Sequence, residues 1–346
     1  MLSKLFFLLS GEHETLPVSE VKAILRAERF ASSNSVVLDQ VLKLEVDQDC
    51  VEAIRRRAAL TRLCCLEIFT CSFDKKEITR CASSVDFSLF LRESETFQVR
   101  IRRVRNYEAK QDVVTLEREL GKQILTHSTK TKVDLKNPDK TFAGVITGQQ
   151  LVFGLVLAEI PAKPFVERRP REKVFFHPSA MSAKLSRCMV NLTEAREGEL
   201  LLDPFCGTGG MLTEAALIGC RIVGLDVQPR MIRGTRRNMT QFRTEAEGLI
   251  VGDVRKLPLS RVDRVATDPP YGRSTVTMKR STNQLLTEMF EALFDILRKG
   301  RKLCVAAPKT CNIGSVGTGS GYKHLESHLV YVHRSLTREI AVFEKM

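Results

Sequence analysis

Short apolar runs closed by polar or turn-forming residues recur along the chain. Between them, apolar residues fall three and four apart, so the spacings of strands and helices alternate. Residues 5–9 read as a first strand, and 18–30 carry helical spacing at Val21, Ile24 and Leu25. A strand over 36–46, a helix over 51–60 and a strand over 63–69 complete a βαββαβ-like α/β module within residues 1–90.

A second module occupies residues 91–160. Residues 97–104 alternate Phe, Val, Ile and Val with Gln and Arg, the period of a half-exposed strand. A helix follows over 112–125, with Val113, Leu116, Leu120 and Ile124 on one side and Asp112 as its cap. Strands over 142–147 and 151–160 flank the turn Gly148-Gln149-Gln150. Residues 161–173 hold three prolines and dense charge with little to bury, and they predict a linker, bounded at 161–175. Beyond it, helices over 180–193, 210–219, 229–240 and 283–298 alternate with strands over 199–203, 221–226, 248–252, 263–267 and 302–307. Residues 330–333 and 340–344 close the chain as an antiparallel pair. That alternation over 176–346 is the doubly wound, Rossmann-like α/β signature.

Charge narrows the function. Lys+Arg is 54 against Asp+Glu 41, a formal net of +13, which points to a polyanionic partner. Trp is absent and Tyr numbers four, which disfavours an aromatic RNA-stacking sheet. Arg100, Arg102, Arg103 and Arg105 crowd one short stretch, three of them read as sharing a strand face, and together with Lys136 they are candidates for RNA-backbone contact. The run 5–9 is too short for a membrane span or a secretory core, so a cytoplasmic location is expected. Ten cysteines include no Cys-x-x-Cys pair; they are expected as small buried hydrophobes, with no zinc knuckle and no metal.

The chemistry begins at Asp203-Pro204-Phe205-Cys206-Gly207-Thr208-Gly209-Gly210, a glycine-rich turn between an apolar strand and a helix. Glycines let a ligand approach the backbone, and the helix start offers free N–H groups. A dinucleotide fingerprint needs a third glycine at position 212, where Leu212 stands, so nicotinamide cofactors are disfavoured. The leading Asp203 would repel a pyrophosphate but suits a ligand with positive groups, as S-adenosylmethionine has in its sulfonium and amine. Asp226 ends the next strand, 23 residues on, where an acid accepts ribose hydroxyls. Asp253 ends the strand after that, suited to an adenine amino group.

Asp268-Pro269-Pro270-Tyr271-Gly272 is the most specific feature. Two prolines fix the backbone and remove two N–H donors, leaving carbonyls to face a ligand. An exocyclic amine on a base is a poor nucleophile, because its lone pair is delocalised into the ring. The Asp268 carboxylate and the Pro269 carbonyl can each accept one of its hydrogens, and Tyr271 offers a ring on which an extruded base stacks.

Taken in order, Phe176-His177-Pro178-Ser179, the DPFCGTGG turn, GLD, GD and DPPYG resemble class I S-adenosylmethionine-dependent amino-methyltransferases. The stretch 97–160, above all Val133-Asp134-Leu135-Lys136-Asn137-Pro138-Asp139, resembles a THUMP domain, an RNA-binding module for the tRNA acceptor end. Together they look like the archaeal tRNA (guanine-N2-)-methyltransferases acting on tRNA position 10, with a ferredoxin-like module before THUMP. Asp268 at the head of its motif, Gly272-Arg273-Ser274-Thr275 after it, and the ending His333-Arg334-Ser335-Leu336-Thr337-Arg338 favour that subgroup over relatives modifying position 6. The resemblance implies that Asp203, Phe205, Cys206, Gly207, Thr208, Gly209, Asp226, Asp253 and Asp268 hold the methyl donor, and that Asp268, Pro269 and Tyr271 hold the target amine. It implies tRNA as partner, N2-methyl- or N2,N2-dimethylguanosine as product, and a monomeric catalytic chain. Some members of that family work with a small zinc-containing activator protein.

Rivals are a methyltransferase for DNA adenine or for a protein glutamine amide, which the basic front half opposes, and an RNA-binding protein with a dead catalytic domain, which the intact acids oppose. His324, His328 and His333 lack supporting ligands and are expected at the surface or facing RNA. Residues 314–321, GSVGTGSG, are expected as a mobile connection.

Overall fold

The computed structural model describes residues 2–105, 112–126, 131–271 and 281–346. It divides into two compact units, one formed by Met1–Val18, Phe30–Arg55 and Thr61–Ile160, the other by Ser19–Arg29, Arg56–Leu60 and Pro161–Met346.

In chain order the first half holds β1 (Leu2–Leu9), α1 (Leu16–Ala27), β2 (Ser32–Leu38), β3 (Val41–Asp47), α2 (Cys50–Arg57), β4 (Thr61–Ser72) and α3 (Lys75–Ser83). After these come β5 (Thr96–Arg103), α4 (Val113–Thr126), β6 (Lys132–Val133), β7 (Lys140–Thr147) and β8 (Gln150–Glu159). All eight strands form one sheet, ordered β2-β3-β1-β4-β8-β7-β5-β6. Alternation along β5 buries Phe97, Val99 and Ile101 against Leu116, Leu120 and Ile124 of α4, the half-exposed pattern read from the sequence. The strand expected over 36–46 is instead a hairpin of β2 and β3. Gln40 takes a left-handed φ of 54° at its turn, and no glycine marks that turn in the sequence.

The second half begins with α5 (Lys163–Glu167), α6 (Ala183–Leu192), β9 (Leu200–Asp203), α7 (Gly210–Ala216), β10 (Arg221–Asp226), α8 (Pro229–Gln241) and β11 (Gly248–Val251). It ends with β12 (Arg264–Thr267), α9 (Thr282–Ile296), β13 (Lys302–Pro308), α10 (Ile313–Gly319), β14 (Tyr322–His333) and β15 (Leu336–Lys345). The seven strands run β11-β10-β9-β12-β13-β15-β14, with the first five parallel and the last two antiparallel, which bears out the doubly wound α/β reading. The order reverses between β9 and β12. In such sheets the crevice at the carboxyl ends of those two strands is where ligands sit.

Three further expectations fail for identifiable reasons. Residues 161–173 do bury something: α5 starts at proline-bearing turns, Phe165 is buried, and the Arg168 guanidinium lies 4.9 Å from its ring centre. Residues 314–321 are mostly the helix α10. A Cβ on Gly317 would stand 2.4 Å from Phe343 Cε1, so the glycine there serves close packing rather than mobility. His328 is buried beside Glu326, 3.4 Å away, not at the surface. All ten cysteines are free and nine are buried, as expected for small hydrophobes. Among the described residues no helix is long and apolar enough to cross a membrane.

Candidate active site

The glycine turn is built by its own backbone. After β9 the Cys206 N–H donates to Leu225 O of β10 at 2.9 Å, and the Gly209 N–H donates to Cys206 O at 2.7 Å. Gly207 and Gly209 adopt φ of 51° and 76°, a region that side chains disfavour. A Cβ on Gly209 would also lie 2.7 Å from Thr235 Cγ2. Polar side chains of α8 pin the turn from below. Thr235 donates to Gly207 O at 2.7 Å, and Asn238 donates to Thr208 O and accepts from Phe175 N–H.

Four carboxylates stand at the carboxyl ends of four neighbouring strands: Asp253 after β11, Asp226 on β10, Asp203 on β9 and Asp268 after β12. Asp203 Oδ1 accepts from the Phe205 N–H at 3.1 Å and from the Thr267 hydroxyl at 2.6 Å. Burial pushes its carboxyl up to about 7, and the nearby charges of Asp268 and Asp226 push the same way. Asp226 accepts from Gly207 N–H at 3.0 Å and Gln228 N–H at 2.8 Å, yet burial still raises it. Asp268 is raised by burial too, against the pull of Arg338 and the Tyr271 hydroxyl. Among the described residues its Oδ1, which is buried, has no hydrogen-bond partner, while Oδ2 lies 3.3 Å from Arg338 Nη2. Arg338 Nε in turn donates to the Tyr271 hydroxyl at 2.5 Å. Three carboxylates that resist ionisation make a pocket short of positive charge, and an unsatisfied acceptor makes it short of a donor.

A family model described as RMKL-like, methyltransferase domain matches residues 170–340, and one for the THUMP domain matches residues 73–155. The tRNA (guanine(10)-N2)-dimethyltransferase of Methanothermobacter thermautotrophicus is 34% identical over 344 residues, covering 99% of this chain and 100% of the relative. Its namesake in Methanocaldococcus jannaschii is 30% identical over 365 residues, covering 98% and 99%. The chain belongs to the THUMP-domain tRNA (guanine-N2-)-methyltransferase family. Among solved structures, TrmN from Thermus thermophilus shares its fold, with TM-score 0.57 and 18% identity over 99% of this chain and 100% of that one. SMU.472, solved complexed with SAH, gives TM-score 0.56 at 13% identity, covering 100% and 98%.

Against this family background, most of the expected residues converge. Asp203, Phe205, Cys206, Gly207, Thr208, Gly209, Asp226, Asp268, Pro269 and Tyr271 all belong to the strand ends and turns just described. Asp253 is at the same sheet edge, but its carboxylate caps the turn after β11 and grips Arg255, with Nη2–Oδ2 at 2.8 Å. Residues 272–275 of the motif lie outside the described residues.

The arginine cluster needs correction. Strand alternation puts Arg100 and Arg102 on the face opposite Phe97, Val99 and Ile101, so only two of the four share a face. Arg105 lies beyond β5 with φ of 55° and pairs with Asp39 at 2.9 Å, its side chain 58% exposed. Lys136 is exposed, its N–H held by Asp134. Sequence reasoning missed Thr267, Thr235, Asn238 and the site role of Arg338. The signal for the middle two was present: polar residues three apart on a helix face that buries Met231, Ile232 and Met239. Among the described residues, no group of three or more His, Cys, Asp and Glu could hold a metal ion.

Proposed function

We propose that this chain transfers a methyl group from S-adenosylmethionine to the exocyclic N2 of guanosine 10 in tRNA, giving N2-methyl- and then N2,N2-dimethylguanosine. The observation that carries this reading is the buried Oδ1 of Asp268, unpartnered among the described residues, at the strand-order reversal beside the glycine turn. The donor fits the residues present. Its sulfonium and amine would stabilise the ionised forms of Asp203, Asp226 and Asp268, which burial raises, where a pyrophosphate would raise them further. Gly207 and Gly209 would admit it to the backbone, Asp226 would take its ribose, and Asp253 would face the adenine on releasing Arg255. When bound, the donor supplies an electrophilic methyl group.

The rest is positioning by the protein. Asp268 and the Pro269 carbonyl accept the two hydrogens of the guanine amine, which concentrates the lone pair on nitrogen. Asp268 is the base at hand for the proton that N2 releases. Tyr271 supplies a stacking face for a base swung out of the helix. The modules proposed at 1–90 and 91–160 grip tRNA phosphates ahead of a catalytic module over 176–346, and a single chain is enough to do so.

The test is methyl transfer to unmodified tRNA with labelled donor, followed by mass-spectrometric mapping. N2-methylated guanosine at position 10 is expected; label at position 6 overturns the nucleotide assignment, and label only in DNA or protein overturns the substrate class. Asp268→Ala should keep tRNA affinity and lose roughly 10²–10³-fold or more in rate.

A further inference from the structure

Building on that reading of the site, we propose that Arg338 on β15 is a positioning residue: it holds Oδ2 of Asp268 so that the carboxylate presents Oδ1 to the target amine.

The geometry is specific. β15 runs antiparallel to β13 and pairs Arg338 with Pro308, the last residue of β13, so its guanidinium arrives at the same sheet edge as the end of β12. There the side chain is 11% exposed and that of Asp268 19%. A guanidinium so withdrawn from water needs fixed partners. Arg338 has two, through different nitrogens: Nη2 at Asp268 Oδ2 and Nε at the Tyr271 hydroxyl, with its carbon 5.8 Å from the Tyr271 ring centre. One planar fork therefore sets both members of the DPPY motif relative to each other. A lysine carries the charge but lacks the fork.

The consequence for Asp268 is asymmetric. One oxygen is taken by the arginine, and the other is buried with no hydrogen-bond partner among the described residues. Among the described residues, the charged or titratable groups that interact with this carboxylate are Arg338 from β15, Tyr271 from its own loop and Asp203 from β9. Burial favours the protonated form of Asp268; Arg338 and the Tyr271 hydroxyl oppose it, and the charge of Asp268 in turn raises Asp203. Among the described residues Arg338 is the cation that opposes burial. A protonated Asp268 would donate where the amine also donates, so loss of Arg338 should show as an acid-shifted failure of the reaction rather than as a loss of binding.

The experiment uses the full chain, unmodified tRNA and single-turnover transfer between about pH 5.5 and 9. Arg338→Met should slow transfer by roughly 10²-fold near pH 7 and move the acid limb of the rate profile to higher pH, with partial recovery in alkali. Dissociation constants for tRNA and donor should stay within about twofold. Arg338→Lys should recover about tenfold of the loss, with an acid limb between the two. A second readout needs no substrate: the carboxyl carbon resonance of ¹³C-labelled Asp268, assigned by its loss in Asp268→Asn, should titrate at higher pH in Arg338→Met than in the parent. Where Arg338→Met fails to fold, Arg338→Gln carries both measurements. A uniform rate loss with coincident acid limbs, or an unshifted resonance, overturns the proposal. If the parent chain moves no methyl to tRNA, the functional reading falls by itself, and the resonance still decides the role of Arg338.

Discussion

The Thr267 hydroxyl donates to Asp203 Oδ1 at 2.6 Å, tying the last residues of two neighbouring parallel strands together beneath the glycine turn. Asp203 is fully enclosed and its carboxyl is pushed up to about 7, chiefly by burial. An unfolded chain ionises the same group near its ordinary 3.8, so folding takes up a proton between those values. Its contribution to stability is therefore complete below about pH 4 and is lost as pH rises through 7. The ligand-free chain should lose roughly 5 °C more in Tm between pH 5 and 8 than Asp203→Asn does, as read by calorimetry. Parallel pH dependence in the two proteins would show that Asp203 is not the group responsible.

Donor binding should have the opposite slope. A cationic ligand needs Asp203 ionised, so its dissociation constant should fall about tenfold between pH 6 and 8. Thr267→Val removes a hydrogen bond that lowers the Asp203 carboxyl, so the midpoint of that change should move to higher pH. Equilibrium dialysis with labelled donor measures both. An unshifted midpoint in the variant would contradict the coupling.

Two glycines should separate stability from function. A Cβ on Gly154 would come 2.0 Å from Leu66 O, a backbone atom of the adjacent strand β4, and cannot fit without parting β4 from β8. Gly154→Ala should cost about 3 kcal/mol in denaturant unfolding. Gly209→Ala puts a Cβ 2.7 Å from the methyl of Thr235, a buried residue held by its bond to Gly207 O, and also forces φ of 76° on a side-chain-bearing residue. It should cost about 1–2 kcal/mol and weaken donor binding at the turn.

What could be read in advance follows the range of the interaction. The turn at Gly207 and Gly209, the acids closing β9 and β10, and the DPPY loop were legible because each is a contiguous strand-to-turn pattern whose chemistry is local. The partnership of Arg338 with Asp268 and Tyr271 was not, because it spans most of α9, β13 and the β14–β15 hairpin; only the fold brings those ends together. Local signals also misled. The hairpin at Asp39-Gln40 turns without glycine, and Gly317 lies inside a helix because Phe343 leaves no room for a side chain. Pro161 to Lys173 looked like a linker because its charge masks one buried ring, Phe165.

The basic strand offers the sharpest contrast within one short segment. Arg100 and Arg102 project from the same side of β5, and Arg102 is exposed, whereas Arg105 is engaged by Asp39 at 2.9 Å and Glu14 at 3.7 Å. A guanidinium already neutralised by carboxylates releases little counterion when RNA arrives, while an exposed one releases about one. Arg102→Ala should therefore reduce the slope of log affinity against log salt by about 0.7–0.9 and weaken tRNA binding at low salt, with little effect on single-turnover rate at saturating tRNA. Arg105→Ala should leave the slope unchanged and instead lower stability slightly by freeing Asp39. Filter binding across a salt series measures the slopes. Equal slope reductions for the two variants would mean that the pairing with Asp39 opens on contact with RNA and that phosphate contact extends to Arg105; an unchanged slope in Arg102→Ala would overturn the assignment to the Arg100 and Arg102 face.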